Sequence, residues 1–393
     1  MIWLNLLIPF IAIIAMLVFF RKKMAVWEYA IIFLIPIIAI TIGKISSVRT
    51  QLDDTEYWNY HLTHAVYEEY WSAYVSQTCT RTVSCGKNCT TIQTYDCSYC
   101  DENSEKWYAF DNSGKKHTIS KSHFEYLCKI WGNREFKDMN RKIRHSGRCG
   151  VDGDAYVTKW NREFETIQPV CILTHYQNRT QCSKTVFNFM EVDSSDSVFY
   201  GLHRYPYYEK MGKFNYDPIV GWNDPKASDR LQKWNGKLGM YRKVHMMIGI
   251  YVDKTQKTAL MQEANWKRGN KNEFILLIGL DKSKKSIDWT YVMSWSDKEK
   301  LKIDVRDSVA NMAEFDLIKI IDYMAGEVST RFEKKNFDDF LYIKVEPTPM
   351  AIFWTFFIVL VLTTGLCVFS VVNPFDAGST FNGGHNIHKR YRY

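Results

Sequence analysis

Three long apolar runs frame a chain that is otherwise mixed in character. The first extends from Met1 to Phe20, broken only by Asn5 and Pro9. The second runs from about Ala25 to Ile42, with Glu28 near its start, and the third from about Met350 to Val372. Each approaches the ~20 residues a helix needs to cross ~30 Å of hydrocarbon, where every backbone N–H and C=O must be satisfied within the segment. The pattern predicts three transmembrane helices.

Between the second and third runs the periodicity changes. Residues 55–75, TEYWNYHLTHAVYEEYWSAYV, place Tyr57, Tyr60, His64, Tyr67 and Trp71 at helical spacing and predict an aromatic helix. The following stretch alternates Gly, Asn and Asp with short aromatic runs, a pattern of short strands and long loops. Within it, Trp107–Phe110 and Lys115–Ile119 flank Asp111-Asn112-Ser113-Gly114 as a hairpin. Beyond residue 236 the pattern is most regular. Val244–Val252 and Phe274–Leu280 read as buried strands, Thr255–Trp266 as a helix, and Lys300–Val305 as an alternating third strand. Met312–Phe332 reads as an amphipathic helix with Phe315, Ile318, Ile321, Ala325, Val328 and Phe332 on one face. Strands alternating with helices imply an α/β layer.

The expected organisation is an α+β, membrane-anchored chain in six parts. Residues 1–43 form two transmembrane helices joined by a basic cytoplasmic turn, and 44–75 hold the aromatic helix. Residues 76–235 are a cysteine-rich external region, and 236–343 a small α/β domain. Residues 350–373 form the third transmembrane helix, and 374–393 a basic cytoplasmic tail.

Charge sets the orientation. Arg21-Lys22-Lys23 sit in the tight turn between the first two runs, and cations in short loops stay on the cytoplasmic side. The large central portion is then expected outside the cytoplasm, at the cell surface or in the periplasm, and the tail, with Lys389, Arg390 and Arg392, inside. A cleaved signal peptide is not expected, because the cations follow the first apolar run and no small-residue cleavage pattern comes after them. The net charge of +8 invites a nucleic-acid reading. Part of that excess sits in the turn and the tail, where topology accounts for it, and elsewhere acids and bases are mixed. The expected partners are therefore the lipid bilayer and a protein or glycan outside the cytoplasm, not nucleic acid.

Nine of the ten cysteines lie in the central portion: Cys79, Cys85, Cys89, Cys97, Cys100, Cys128, Cys149, Cys171 and Cys182. Outside the cytoplasm such density predicts a disulfide framework, with one thiol left over because nine is odd. Cys85-x3-Cys89 and Cys97-x2-Cys100 also resemble two halves of a zinc ribbon, so a zinc-binding module is an alternative. The tenth, Cys367, lies in the third apolar run and reads as a small apolar residue.

Other candidate chemistry is sparse. His61, His64 and Glu68 are one helical turn apart and raise the question of a metal site. Val151–Tyr156, VDGDAY, is shorter than a calcium loop requires and reads as a turn. Residues 201–224 are rich in Tyr and Trp. Tyr205, Tyr207, Tyr208 and Trp222 are the candidate partner contacts. Asn88-Cys89-Thr90 and Asn178-Arg179-Thr180 match the glycosylation triplet. No hydrolase, Walker or zinc-protease motif occurs, so no catalytic residue, metal or cofactor is assigned. Few alanines beside many Lys, Asn and Tyr fit an AT-rich genome of the viral or phage kind.

Trp266 with Gly269, then Glu273–Lys285 (EFILLIGLDKSKK), then Phe332 and Asn336–Phe340 (NFDDF) fall in an order that resembles the TPM domain, an α/β module of envelope proteins. The resemblance covers about residues 240–343. Where that family carries a glycine-rich stretch, this chain has Asp288-Trp289-Thr290-Tyr291. The resemblance implies, as an alternative function, a phosphatase-like envelope hydrolase. Asp281, Asp304 and Asp307 would then have to converge on a metal. The leading expectation is a non-enzymatic envelope protein whose external domain binds a partner protein or surface polymer.

Overall fold

The computed structural model describes residues 2–20, 26–86, 89–141, 149–182, 192–206 and 217–372, without side chains at 84–89. In chain order its elements are α1 (Leu7–Phe19, after a 3-10 turn at Ile2–Leu6), α2 (Val26–Leu52), β1 (Asp53–Glu68), β2 (Trp71–Val75), β3 (Thr78–Gly86), β4 (Cys89–Asp96), β5 (Tyr99–Asn103), β6 (Lys106–Asp111), β7 (Lys116–Thr118), α3 (Lys121–Trp131), β8 (Glu135–Lys137), β9 (Ala155–Lys159), β10 (Pro169–Gln177), α4 (Ser194–Tyr200), β11 (Ile219–Val220), α5 (Pro225–Arg242), β12 (His245–Val252), α6 (Lys257–Asn265), β13 (Glu273–Leu280), β14 (Ile287–Ser294), α7 (Glu299–Ala310), α8 (Leu317–Arg331) and α9 (Pro349–Val372). The chain is mixed α+β and divides into two compact units. One comprises residues 1–54, 175–188 and 337–393, the other 55–174 and 189–336.

In the first unit, Ile2–Phe19, Val26–Leu52 and Pro349–Val372 are long and apolar enough to cross a membrane, with mean hydropathies of 2.6, 2.2 and 2.5. They pack on one another through Ile2, Ile40 and Val359, and through Met16, Ile32 and Leu366. Their other faces stay apolar and exposed, as at Phe10, Ile11, Leu34, Phe353, Trp354 and Phe369. Helices apolar all round need an apolar surround on every side. Glu28 is only 2% exposed, tucked among the helices. The C-terminal end of α2 is stitched to later segments. The Leu52 carbonyl accepts the Asn178 N–H at 2.7 Å, Gln51 donates to the Glu346 carbonyl at 3.0 Å, and Arg179 donates to the Ile343 carbonyl at 2.9 Å. These bonds occupy a carbonyl that the helix terminus leaves without an intrahelical partner.

The second unit holds two main sheets. The first has the order β7-β6-β1-β9-β8, with β10 also paired to β1. Phe124, Leu127 and Trp131 of α3 cover one face, packing on Leu62, Ala65, Ala109, Val170 and Ile172. The second sheet has the order β11-β12-β13-β14. Its first three strands are parallel and β14 is antiparallel. Helices α5, α7 and α8 pack on one face and α6 on the other. All eight residues of β13 are buried, as expected of a strand covered on both sides. Two ribbons, β2–β5 and β3–β4, complete the unit.

Several expectations from sequence need correction. The stretch expected to be an aromatic helix is strand β1 followed by β2. The register of β1 against β6 shifts between Leu62 and His64. Trp58, Tyr60 and Leu62 therefore face the α3 core before the bulge, while Ala65 and Tyr67 face it afterwards. An extra residue in one strand switches which parity points inward, and two alternating runs out of phase mimic a helical stripe. The β-branched and aromatic residues there also suit a pleated strand better than a helix. Lys300–Val305 lies within α7, whose buried residues Leu301, Val305 and Val309 are spaced four apart. Six residues were too short a window to separate that spacing from alternation. Asp288–Tyr291 belongs to strand β14. The hairpin about Asp111–Gly114 and the buried strands β12 and β13 lie where the pattern placed them.

Among the residues whose side chains are described, four of the nine central cysteines are bridged. Cys79 pairs with Cys97 and Cys100 with Cys149, each with Cα atoms 5.7 Å apart. Cys128 and Cys171 are thiols packed into apolar clusters, on α3 and β10 respectively, and behave as small apolar residues. Burial pushes the Cys171 thiol up to about 12 and raises that of Cys128 as well. The Cys182 sulfur lies 3.3 Å from the Gln51 carbonyl. The side chains of Cys85 and Cys89 fall outside the described set, as do Arg21, Lys22, Lys23, Lys389, Arg390, Arg392, Tyr207 and Tyr208.

Candidate functional site

The bulge in β1 creates the site. Beyond it, His64, Val66 and Glu68 turn to the sheet face opposite α3. Their antiparallel neighbours on that face are Phe110 and Tyr108 of β6, and Lys159 and Val157 of β9. Glu135, Phe136, Lys137 and Met139 close one side. All of these but Glu68 line an open bowl of about 570 Å³. A solvent-facing side of an antiparallel sheet ordinarily carries polar residues. Here Val66 and Tyr108 are each only 9% exposed, and Phe110, Met139 and Val157 pack with them in one apolar cluster.

Aromatic contacts fix the floor. The His64 ring stacks on Phe110, with centroids 4.6 Å apart and planes 16° from parallel, and Tyr108 meets Phe110 edge-on at 5.5 Å. The Lys116 ammonium sits 3.5 Å above the Tyr108 ring, and the Tyr108 hydroxyl donates to the Glu68 carboxylate. Burial, then that carboxylate, pushes the phenol above its ordinary range. At the rim Lys159 and Glu135 form an ion pair at 2.6 Å. Lys137 is exposed and has no ion-pair partner among the described residues. A mostly apolar cavity with a few polar groups at its edge suits binding.

The unit carries a titration signature. Burial lowers the pKa of His61, His64, His123 and His203 below the ordinary histidine value. For His64, the nearby Lys159 and Lys137 add to the effect. Each ring stays neutral in the fold at a pH where an unfolded chain takes up a proton. As pH falls below about 6.5, the unfolded state binds more protons and the folded state loses stability. The thermal midpoint of this unit is therefore expected to drop between pH 7.5 and 5.5, followed by tryptophan fluorescence on the full chain in nanodiscs. A flat midpoint across that range would contradict the assignment.

The residues singled out from sequence are mostly absorbed into packing. Tyr205 donates its hydroxyl to the Glu273 carboxylate, accepts from Asn270 at 2.8 Å, and sets its ring edge-on to Trp266. Trp222 packs on Phe315, with Lys284 5.7 Å from its ring centre. Asp281 closes the β13–β14 turn by accepting the Lys285 and Ser286 N–H groups, and the Ser283 hydroxyl leads the bonds that hold its carboxyl at about 2. Asp304 pairs with Arg331 at 2.5 Å and Asp307 with Arg306 at 2.7 Å, one turn apart on α7, so each of the three aspartates is already engaged in a turn or an ion pair. On a strand His61 and His64 no longer lie one turn apart. Among the described residues no group of three His, Cys, Asp or Glu side chains is placed to hold a metal.

Asn178 is 2% exposed. Its amide nitrogen donates to Asp54 at 2.7 Å, while its carbonyl accepts from the Thr180 N–H and hydroxyl. A glycan on that nitrogen would have to break this node, so the triplet there is a structural turn. Asn88 lies outside the described residues.

The bowl itself was not legible beforehand. Its residues run from His64 to Lys159 in four separate segments, and the one local hint was the Phe110 and Tyr108 alternation in β6. No protein-family model, curated protein or solved structure matches the chain.

Proposed function

We propose that the chain is a membrane-anchored envelope protein whose disulfide-braced unit lies outside the cytoplasm and binds a partner through the apolar bowl. Three helices apolar enough to span a bilayer support the anchor. The Arg21-Lys22-Lys23 turn and the basic tail support the orientation. Two bridged cysteine pairs suit an oxidising compartment. The observation that carries the binding reading is the bowl, an apolar depression on a sheet face that is ordinarily polar. A TPM-related architecture over residues 240–343 stays part of this reading, with β12, α6 and β13 in that chain order. Asp281, Asp304 and Asp307 are each engaged in a turn or an ion pair, and no group of three such side chains among the described residues is placed to hold a metal, so the hydrolase alternative gains no support.

Orientation is tested by accessibility. A cysteine introduced at Glu125, exposed on α3, is expected to react in intact cells with a maleimide that cannot cross the membrane. One introduced at Ser379 in the tail is expected to react only after permeabilisation. The reverse pattern overturns the proposed topology.

The binding reading is tested by filling the bowl. Val157→Trp places a large ring in the depression and is expected to abolish at least nine-tenths of the wild-type binding of small water-soluble aryl compounds, measured by saturation-transfer NMR on the full chain in nanodiscs. Equal signals from the two proteins would refute it.

A further inference from the structure

We propose that the bowl selects a small amphiphilic anion, an aryl or short alkyl carboxylate, whose apolar body lies on Val66, Phe110, Val157 and Met139 and whose head meets Lys137. The inference rests on the reading of the bowl as a binding site and adds the chemical class of its occupant.

Three observations converge on it. The first is the division of polarity. The centre of the bowl is apolar, while Glu135, Lys137 and Lys159 cluster on the β8–β9 side. A molecule that fills the bowl must therefore be apolar along most of its length and polar at one end. The second is the charge left over at that end. Glu135 answers Lys159 at 2.6 Å, whereas Lys137 has no ion-pair partner among the described residues. An anionic head supplies the missing charge; a cationic one adds a third cation to two lysines.

The third observation is the state of His64. Its ring stacks on Phe110 in the floor. Burial first, then Lys159 and Lys137, disfavours its protonation. Burial opposes a charge of either sign, but the part of the effect that comes from Lys159 and Lys137 favours an anion at the rim. A neutral imidazole also keeps the floor apolar. The volume, about 570 Å³, accommodates an aryl group with a short chain.

A different role for Lys137 has to be distinguished. β8 is a short, exposed edge strand, and lysines on edges discourage pairing with other chains. That role makes no distinction among ligand head groups.

The test uses the full chain in zwitterionic nanodiscs and three probes of one shape: 4-phenylbutyrate, 4-phenylbutanol and 4-phenylbutylamine. The Val157→Trp protein supplies the baseline for partition into lipid. If that variant fails to fold, by its near-ultraviolet dichroism, Met139→Trp at the side of the bowl replaces it. The carboxylate is expected to bind about five-fold more tightly than the alcohol, the upper range for an exposed charge pair, and the amine more weakly than either. Lys137→Glu is expected to reverse the order of carboxylate and amine. Equal binding of all three probes, or an order unchanged in Lys137→Glu, overturns the anion assignment while the bowl reading stands. No binding of any probe above the filled-bowl baseline overturns both.

Discussion

Replacing Gly239 with alanine is expected to destabilise the second unit by about 3 kcal/mol, although the same change in an exposed helix gains about 1 kcal/mol. Gly239 lies on α5 where that helix crosses β1. A Cβ built there would stand 2.0 Å from the Asn59 carbonyl oxygen, and at Gly236, one turn earlier, 3.1 Å from the Tyr60 carbonyl oxygen. Backbone atoms cannot rotate away as a side chain can, so α5 and β1 would have to separate. One turn before Gly239, α5 is locked by Asn235, which exchanges two hydrogen bonds with the backbone of Met246, at 2.9 and 2.8 Å. Separation at β1 therefore strains the second sheet as well. Denaturant unfolding of the full chain in nanodiscs measures the cost. A Gly239→Ala protein at least as stable as wild type would show that the close approach does not exist in solution.

Removing the Cys100–Cys149 bridge, by Cys100→Ser with Cys149→Ser, is expected to cost about 4 kcal/mol, and removing Cys79–Cys97 about 3 kcal/mol. The separations of 49 and 18 residues set these figures through the loop-closure entropy that each bridge withholds from the unfolded chain. The local structure offers little else. Strands β3 and β4 form a two-stranded ribbon that is exposed along nearly all of its described length, and such a ribbon is marginal by itself. β2 and β5 are tied to the rest through Ser72, whose N–H donates to the Val151 carbonyl at 3.0 Å and whose hydroxyl accepts from Gly150 and Val151. Thermal unfolding with and without reductant measures the loss. An unchanged midpoint in the Cys100→Ser, Cys149→Ser protein would contradict it.

The contrast between β13 and β1 shows what governs legibility. Phe274–Leu280 is apolar throughout because helices cover both faces of its sheet, and a continuous run survives without knowledge of its neighbours. In β1 the identity of the buried parity changes at the bulge beyond Leu62, and that change depends on pairing with β6. The candidate contacts Tyr205 and Trp222 illustrate the same limit. Aromatic rings fill cores and cover binding surfaces equally well, and only Glu273, Trp266 and Phe315 decide that these two are packed. Cysteine count was visible, but pairing was not, because Cys100 and Cys149 meet only when β5 approaches the turn before β9.

What the amino-acid pattern determined alone is local and additive: three apolar runs of spanning length, the turn about Asp111–Gly114, and buried strands bounded by charged turns. Each follows from the chemistry of neighbouring residues within one element. Tertiary structure decided the rest. It placed His64, Val66, Tyr108, Phe110, Met139 and Val157 on one open face, and left Lys137 beside them without an ion-pair partner among the described residues. Such a site is a sum over four distant segments, and its shape exists only once sheet register and the β1 bulge have fixed which side chains share a face.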